Sequence, residues 1–156
     1  MSVPRAVAID LDVIGDTRRL WDDWLMSAGS VLGVDPETLP ADRGEAAAVL
    51  DEAGGGNWRA LLERFAEDRA PVYLRRDAAA SAALRTLTAE GCTLGVFTDA
   101  PEPLARVALA QLGAERRVGV LEAGVGAPER VLERIGPGAL VVRSRDELRE
   151  AAATVP

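Results

Sequence analysis

Two aspartates near the amino terminus are the residues of this chain best suited to chemistry. Asp10 and Asp12 follow an apolar run at residues 6–9 whose composition favours a buried β-strand. Because residues i and i+2 of a strand point to the same side, this spacing predicts two carboxylates together at the strand end. Such a pair can share a metal ion or divide the roles of nucleophile and acid–base catalyst. A strand that runs into an ordinary polar turn would give the same pattern.

The residue types that are absent narrow the chemistry. The 156 residues include no histidine, all 18 basic residues are arginine, and Cys92 is the only cysteine. Histidine triads, histidine-ligated metals, Schiff-base lysines and internal disulfides are therefore excluded. Carboxylates, guanidinium groups and hydroxyls remain. Carboxylate chemistry with a hard cation such as Mg²⁺ fits this set best.

Composition indicates a globular protein with one domain and a small insertion. Hydrophobic residues make up 48% of the chain and charged residues 28%, which is ordinary for a soluble protein. The net charge of −7 disfavours binding to nucleic acid, which requires a cationic face. The sequence contains no apolar run of about 20 residues, the length that spans a bilayer. We therefore expect a cytoplasmic protein without a membrane partner.

Helical and strand patterns alternate in the second half of the chain, which is typical of βαβ units and a parallel sheet. The elements predicted after residue 76 are strands at 92–97, 118–121 and 139–142 and helices at 77–90, 101–112, 127–135 and 145–153. A first strand is predicted at 5–13. Residues 16–74 show helical patterns only, and Trp21, Trp24 and Trp58 within them are expected to pack inside that segment.

Two segments resemble motifs of the haloacid dehalogenase superfamily of hydrolases. Residues 7–12, Val-Ala-Ile-Asp-Leu-Asp, match the first motif, in which Asp-x-Asp follows an apolar strand. Residues 94–98, Leu-Gly-Val-Phe-Thr, match the second, an apolar strand that ends in serine or threonine. The order of elements extends the resemblance to nearly the whole chain. It implies a Rossmann-like three-layer α/β sandwich with a parallel sheet, formed by residues 1–15 and 75–156, and a small helical cap of the C1 type at 16–74.

The resemblance implies roles for three residues, and position adds a fourth candidate, Asp99, which follows Thr98 and could instead cap the loop before Pro101. Asp10 stands where the family's nucleophile attacks phosphorus to form an aspartyl phosphate. Asp12 stands where an acid–base catalyst protonates the leaving oxygen and then activates water. Thr98 matches a hydroxyl that donates a hydrogen bond to the phosphate, and the adjacent Asp99 could reach the same phosphate. Mg²⁺ held by Asp10 and Asp12 would offset the repulsion between nucleophile and phosphate.

The third and fourth motifs depart from the family pattern. Ala127 stands at the position of the third-motif lysine, and Arg130 follows about one turn into the predicted helix, from where it could reach the phosphate. Ser144 stands at the position of the fourth-motif acid that binds the metal, with Arg143 and Arg145 on either side. Without that acid, we expect Mg²⁺ to bind weakly, because Mg²⁺ requires carboxylate ligands.

The arginines that follow the last predicted strand have two interpretations. If the family's strand order holds, the strand that ends at Asp10 lies beside the strand that precedes Arg143. Arg143 or Arg145 could then take the place of the metal ion, bind the phosphate and pair with Asp10, since a bidentate contact between arginine and a carboxylate is strong. In the alternative interpretation, both arginines are structural or exposed to solvent.

Two functions are compatible with this sequence. The first is a phosphatase-type hydrolase that acts on a small phosphorylated metabolite through an aspartyl phosphate. The second is a catalytically impaired or inactive relative that binds an anionic ligand or a protein partner. The retained Asp10, Asp12 and Thr98 favour the first. The altered third and fourth motifs favour the second, because electrostatic stabilisation is often the largest contribution to catalysis. The oligomeric state stays open, with a homodimer among the alternatives.

Overall fold

Four parallel strands form the centre of the molecule. The computed structural model describes residues 4–54 and 56–154. The strands in these residues are β1 (Ala6–Asp10), β2 (Thr93–Thr98), β3 (Val120–Ala123) and β4 (Leu140–Val142). Their order in the sheet is β3-β2-β1-β4, and every neighbouring pair is parallel. This arrangement confirms the predicted α/β fold class with a parallel sheet, and it confirms that β1 and β4 are neighbours.

Helices surround the sheet and connect its strands. In the described part of the chain they are α1 (Leu11–Ile14), α2 (Arg18–Leu32), α3 (Arg43–Glu52), α4 (Trp58–Tyr73), α5 (Ala78–Ala89), α6 (Glu102–Gln111), α7 (Ala127–Ile135) and α8 (Arg145–Ala153). A short 3-10 helix at Pro36–Thr38 separates α2 from α3. None of the helices in the described residues combines the length and the apolar character needed to cross a membrane.

The first strand ends three residues earlier than predicted. The prediction of a strand at 5–13 is wrong beyond Asp10, because the chain turns into the short helix α1 at that point. The Asp10 side chain accepts a hydrogen bond from the Asp12 backbone N–H at 3.0 Å, and it thereby caps the helix. Asp12 therefore lies in the first turn of a helix and not on the strand.

Helices cover both faces of the sheet. Val7 and Ile9 of β1 are fully buried in the larger apolar core, to which α5 and α8 also contribute. Ala8 points to the opposite face, where it packs with Ala127 and Val131 of α7. Because the side chains of a strand alternate between faces, β1 takes part in two apolar layers, and the molecule is the three-layer sandwich that was predicted.

The helices between β1 and α5 pack around three tryptophans. Trp21, Trp24 and Trp58 are each at most 2% exposed. The ring centroids of Trp21 and Trp24 lie 5.3 Å apart, and those of Trp24 and Trp58 lie 5.9 Å apart. These contacts confirm that the tryptophans pack inside the helical segment 16–74. The assignment of this segment as a cap domain, separate from the rest of the chain, stays a prediction.

Candidate active site

A pocket of about 400 Å³ lies at the carboxyl ends of the strands, where parallel α/β sheets bind ligands. Its walls come from the ends of β1, β2 and β4, from the start of α3 and from the loop between β3 and α7. Its charged lining residues are the acids Asp10, Asp12, Asp42, Glu45 and Asp99 and the bases Arg18, Arg43 and Arg143. The structure thus brings the two predicted catalytic aspartates into one cavity.

Asp10 lines the pocket from the end of β1, the strand at the centre of the site. Burial has the largest effect on its pKa and raises it above the ordinary value of 3.8, and the charge of Asp12 acts in the same direction. The hydrogen bond from the Asp12 N–H and the charges of Arg143 and Arg43 oppose this rise without cancelling it. A carboxyl group whose pKa is raised by burial in a cleft is typical of functional sites.

Asp12 reaches the pocket from α1, and both of its carboxylate oxygens have partners. Its Oδ1 accepts hydrogen bonds from the backbone N–H of Thr17 at 3.0 Å and from the Thr17 hydroxyl at 2.7 Å. Its Oδ2 lies 3.1 Å from Nη2 of Arg43. The two aspartates therefore come together because a helical turn follows Asp10. The sequence had suggested the alternation of side chains along a strand as the cause.

Arg43 is a buried cation of the pocket that the sequence did not reveal. The residue is 1% exposed, and it connects three polar side chains. Its Nη1 donates to the Thr17 hydroxyl at 2.6 Å, and its Nη2 donates to Asp12. Its Nε donates to Asp99 at 2.9 Å, and its backbone N–H donates to the same carboxylate at 3.0 Å. Arg43 therefore links the start of α3 to residues that follow β1 and β2.

A close approach of α3 to the loop after β3 accompanies this link. A Cβ atom at Gly44 would lie 2.7 Å from the backbone nitrogen of Val125, so a larger residue would force the two backbones apart. The glycine beside Arg43 is the one sequence signal that could have indicated a tight contact at this point.

Asp99 is bound by arginines in this site. In addition to its contacts with Arg43, it lies 3.6 Å from Nη2 of Arg18. Burial alone would raise its pKa, but the hydrogen bonds from Arg43 and the charges of Arg43 and Arg18 lower the pKa of Asp99 overall, below 3.8. An ionised carboxylate accepts hydrogen bonds and donates none, so this side chain cannot supply the donor that a phosphate requires. Its role in the structure is to anchor Arg43.

The lowered pKa of Asp99 predicts how stability depends on pH. Its contribution to the free energy of unfolding is fully present above the ordinary aspartate pKa, about 3.9, and is lost as the pH falls through the lower pKa of the folded state. We expect the stability difference between wild type and Asp99→Asn to shrink below about pH 4. Urea unfolding of both proteins at a series of pH values from 7 downward measures this stability difference. Asp22→Asn, at an exposed aspartate, is the control. A difference that stays constant over this range would contradict the prediction.

Thr98 ends β2 beside Asp10. The residue is 2% exposed and lines the pocket, and its Oγ1 accepts a hydrogen bond from the Ala100 N–H at 3.2 Å. A hydroxyl that accepts one hydrogen bond still has its own proton to donate. The predicted contact of Thr98 with a phosphoryl oxygen stays a prediction that this position allows.

The two arginines that flank Ser144 go to different places. The Arg143 guanidinium lines the pocket and lies 4.9 Å from the centre of the Phe97 ring. Arg145 turns toward α1 and the start of α5, where its Nε donates to the Val13 carbonyl at 3.4 Å and its Nη1 lies 3.6 Å from Asp77. Arg145 therefore supports the packing of α8 and does not accompany Arg143 to the pocket.

Arg130 holds the loop between β3 and α7. Its Nε donates to Glu122 at 2.8 Å, and its two terminal nitrogens donate to the backbone carbonyls of Ala123 and Val125. Because all three nitrogens of this guanidinium have hydrogen-bond partners in and beside the loop, Arg130 stabilises a wall of the pocket and does not line the pocket itself. The predicted contact of Arg130 with phosphate would require these hydrogen bonds to break.

The donor groups at the strand ends do not suit Mg²⁺. The hydroxyl of Ser144 accepts a hydrogen bond from the Glu147 N–H and caps α8. Thr17 and Arg43 already occupy both carboxylate oxygens of Asp12. Within residues 4–54 and 56–154, no three acidic, histidine or cysteine residues lie close enough together to hold a metal ion. Mg²⁺ is usually held by one or two carboxylates together with waters and phosphate oxygens, and of Asp10, Asp12 and Asp99 only Asp10 keeps a carboxylate oxygen without a hydrogen-bond partner, so these residues fit Mg²⁺ poorly.

Solved structures match this chain at the level of the fold. CbbY from Rhodobacter sphaeroides, solved in complex with phosphate, is 19% identical with a TM-score of 0.66, over 96% of this chain and 83% of that chain. A phosphatase from Thermococcus onnurineus is 19% identical with a TM-score of 0.56, over 97% and 82%. Protein Tyrosine Kinase A of Mycobacterium tuberculosis is 22% identical with a TM-score of 0.58, over 99% and 82%.

Sequence comparisons give no further match. No protein-family profile and no curated protein matches the chain. The likeness to the solved structures shows that the chain has the fold of the haloacid dehalogenase superfamily, as the sequence motifs predicted.

Proposed function

We propose that this chain is a phosphatase-type hydrolase that acts on a small phosphorylated molecule, with Asp10 as its nucleophile. The observation that carries the proposal is that Asp10 and Asp12 line one pocket at the end of β1, where the backbone N–H of Asp12 also donates a hydrogen bond to the Asp10 carboxylate at 3.0 Å. Two carboxylates in different environments can divide nucleophilic and acid–base work. Fold neighbours solved with phosphate and with a xylulose bisphosphate support a phosphorylated substrate.

The proposed reaction has two displacement steps. In the first, a carboxylate oxygen of Asp10 attacks phosphorus, the bond to the ester oxygen breaks, and the leaving oxygen takes a proton from Asp12, which must enter this step in its protonated form with Oδ2 released from Arg43. In the second, Asp12 takes a proton from the water that attacks the aspartyl phosphate, which releases phosphate and restores Asp10. Thr98 donates a hydrogen bond to a phosphoryl oxygen during both steps.

Thr17 and Arg43 act in this scheme as positioning residues for Asp12. Together they contact both of its oxygens, and Arg43 is itself held by Asp99. Misplacing a catalytic group by about 1 Å can lower a rate about 100-fold, so this support is important although neither residue attacks the substrate.

The dimensions of the pocket favour a metabolite over a phosphorylated protein. Its volume of about 400 Å³ lies within the range of about 300–1,000 Å³ that is usual for small-molecule sites. The close approach of Gly44 to the Val125 backbone holds the start of α3 against the loop after β3, and both of these segments line the pocket. We therefore expect small phosphomonoesters to react faster than phosphopeptides.

The proposal is tested by following both product and intermediate. Purified protein is incubated with p-nitrophenyl phosphate, released phosphate is measured, and the protein is quenched in acid for mass spectrometry. We expect turnover together with a phosphate adduct on the peptide that contains Asp10, and hydroxylamine should remove this adduct because it is an acyl phosphate. A protein that releases no phosphate above a blank and carries no adduct would contradict the proposal.

A further inference from the structure

The Arg143 side chain and the candidate nucleophile Asp10 line the same pocket. Asp10 pairs with Phe97 in the register of β1 and β2, and Ile9 pairs with Val142 in that of β1 and β4. Asp10 and Phe97 are paired residues and so point to the same face, and the short distance from the Arg143 guanidinium to the Phe97 ring brings the Arg143 side chain to that face as well. This is the face that α7 covers.

The Arg143 side chain crosses the end of β1. Arg143 follows β4 and Phe97 belongs to β2, while β1 lies between these two strands. The guanidinium reaches to within 4.9 Å of the centre of the Phe97 ring, so the side chain extends across the end of β1, the strand that ends at Asp10. Stacking on an aromatic ring orients the plane of a guanidinium and leaves its edge available to donate hydrogen bonds.

The charge of Arg143 is available to a ligand. Among the described residues, the ion pairs of the structure use other arginines, namely Arg18, Arg43, Arg59, Arg106, Arg130, Arg134, Arg145 and Arg149. Arg43, the neighbouring cation in the pocket, is already shared by Asp12 and Asp99. An anion that enters the pocket therefore meets in Arg143 a cation that forms no direct ion pair within the described residues, although its charge also acts on Asp10.

We propose that this pocket binds a phosphoryl group through the Arg143 guanidinium and without a divalent metal ion. The inference rests on the proposed function, which supplies the identity of the anion. It follows from two observations, the arginine that extends across the end of β1 and a donor set that fits Mg²⁺ poorly. A planar guanidinium can contact two phosphoryl oxygens at once, and it supplies fixed positive charge between the nucleophile and the anion.

Binding of inorganic phosphate tests the proposal without any need for turnover. Isothermal titration calorimetry is performed on wild type, Arg143→Gln and Arg149→Gln, each in EDTA and in millimolar Mg²⁺. Arg149 is an exposed arginine of α8 that pairs with Asp146, so its variant is the matched control. We expect wild type and Arg149→Gln to bind phosphate equally well in both buffers. Arg143→Gln should bind about tenfold more weakly or worse, because it loses charge-assisted hydrogen bonds.

Three outcomes of the phosphate titrations would overturn the proposal. They are phosphate binding by wild type that requires Mg²⁺, wild-type affinity in Arg143→Gln, and no phosphate binding in either buffer. In a separate titration, Mg²⁺ alone should give no saturable heat. A saturable signal in that titration would be a fourth outcome that overturns the proposal.

The same measurements separate this proposal from the proposed function. If the protein binds phosphate in EDTA but releases none from an ester, the proposal for the anion site stands and the proposed hydrolase function is wrong. Turnover that depends on Mg²⁺ would retain the hydrolase and overturn the role of Arg143.

Discussion

Replacement of Asp10 by asparagine is expected to lower phosphate release by about 1,000-fold or more. Asparagine has nearly the same size, and its amide oxygen can still accept the hydrogen bond from the Asp12 N–H that caps α1. The fold should therefore persist, while the neutral amide can neither attack phosphorus nor form an acyl phosphate. Steady-state kinetics with p-nitrophenyl phosphate, combined with circular dichroism of the variant, measure both effects.

The control for this experiment is Asp22→Asn. Asp22 is an exposed aspartate on α2 and does not line the pocket, so its variant makes the same change of charge without touching Asp10. It should retain wild-type kinetics. If Asp10→Asn keeps more than about a hundredth of the wild-type rate, the nucleophile is a different group and the aspartyl phosphate mechanism is wrong. Equal residual rates in all three proteins would instead point to a contaminating phosphatase.

The parts of the molecule that the sequence predicted well depend on local signals. Helices α7 and α8 have their predicted bounds, because Pro128 near the start of one and Ser144 before the other are residues that favour helix starts. The parallel sheet followed from the alternation of apolar strands with helices. The position of Asp10 at a strand end required only that the first apolar run form a strand.

The parts that the sequence did not reveal depend on contacts between distant residues. Arg43 lies 31 residues from Asp12 and 56 from Asp99, and no spacing rule connects such positions. Arg143 and Arg145 look equivalent in the sequence, but one follows β4 and the other begins α8. The change from a strand to a helix between them rotates the second side chain away from the pocket. Asp12 was placed correctly in the site for a wrong reason, since a helical turn replaces the predicted strand.

Replacement of Arg43 by methionine is expected to destabilise the protein by about 2–3 kcal/mol. Removing one partner of a buried ion pair costs about 3–5 kcal/mol, because the other charge is left without compensation. Here the side chains of Asp12 and Asp99 keep 34% and 29% exposure, so water replaces part of the lost interaction and the expected loss falls to about 2–3 kcal/mol. Methionine occupies much of the same volume, which limits the loss from packing. Urea unfolding at pH 7 gives the difference in the free energy of unfolding.

The matched control is Arg59→Met. Arg59 forms a similar contact with Asp51 at 2.7 Å, but their side chains are 47% and 49% exposed. Exposed ion pairs contribute at most about 1 kcal/mol, so this variant should be nearly as stable as wild type. A loss of similar size in the two variants would show that burial does not distinguish Arg43 and would contradict the prediction.

A double variant separates the effect of the lost charge at Arg43 from the effect of lost packing. If uncompensated carboxylates cause the loss, then adding Asp99→Asn to Arg43→Met should restore part of the stability, because one of the two unpaired charges is gone. The deficit of Arg43→Met should also shrink as the pH falls below about 4, where the wild type loses the contribution of ionised Asp99. A double variant no more stable than the single one would assign the loss to packing. Arg43 also contacts Asp12, the proposed acid–base catalyst. One guanidinium therefore both stabilises the contact of α3 with the strand ends and positions that catalyst.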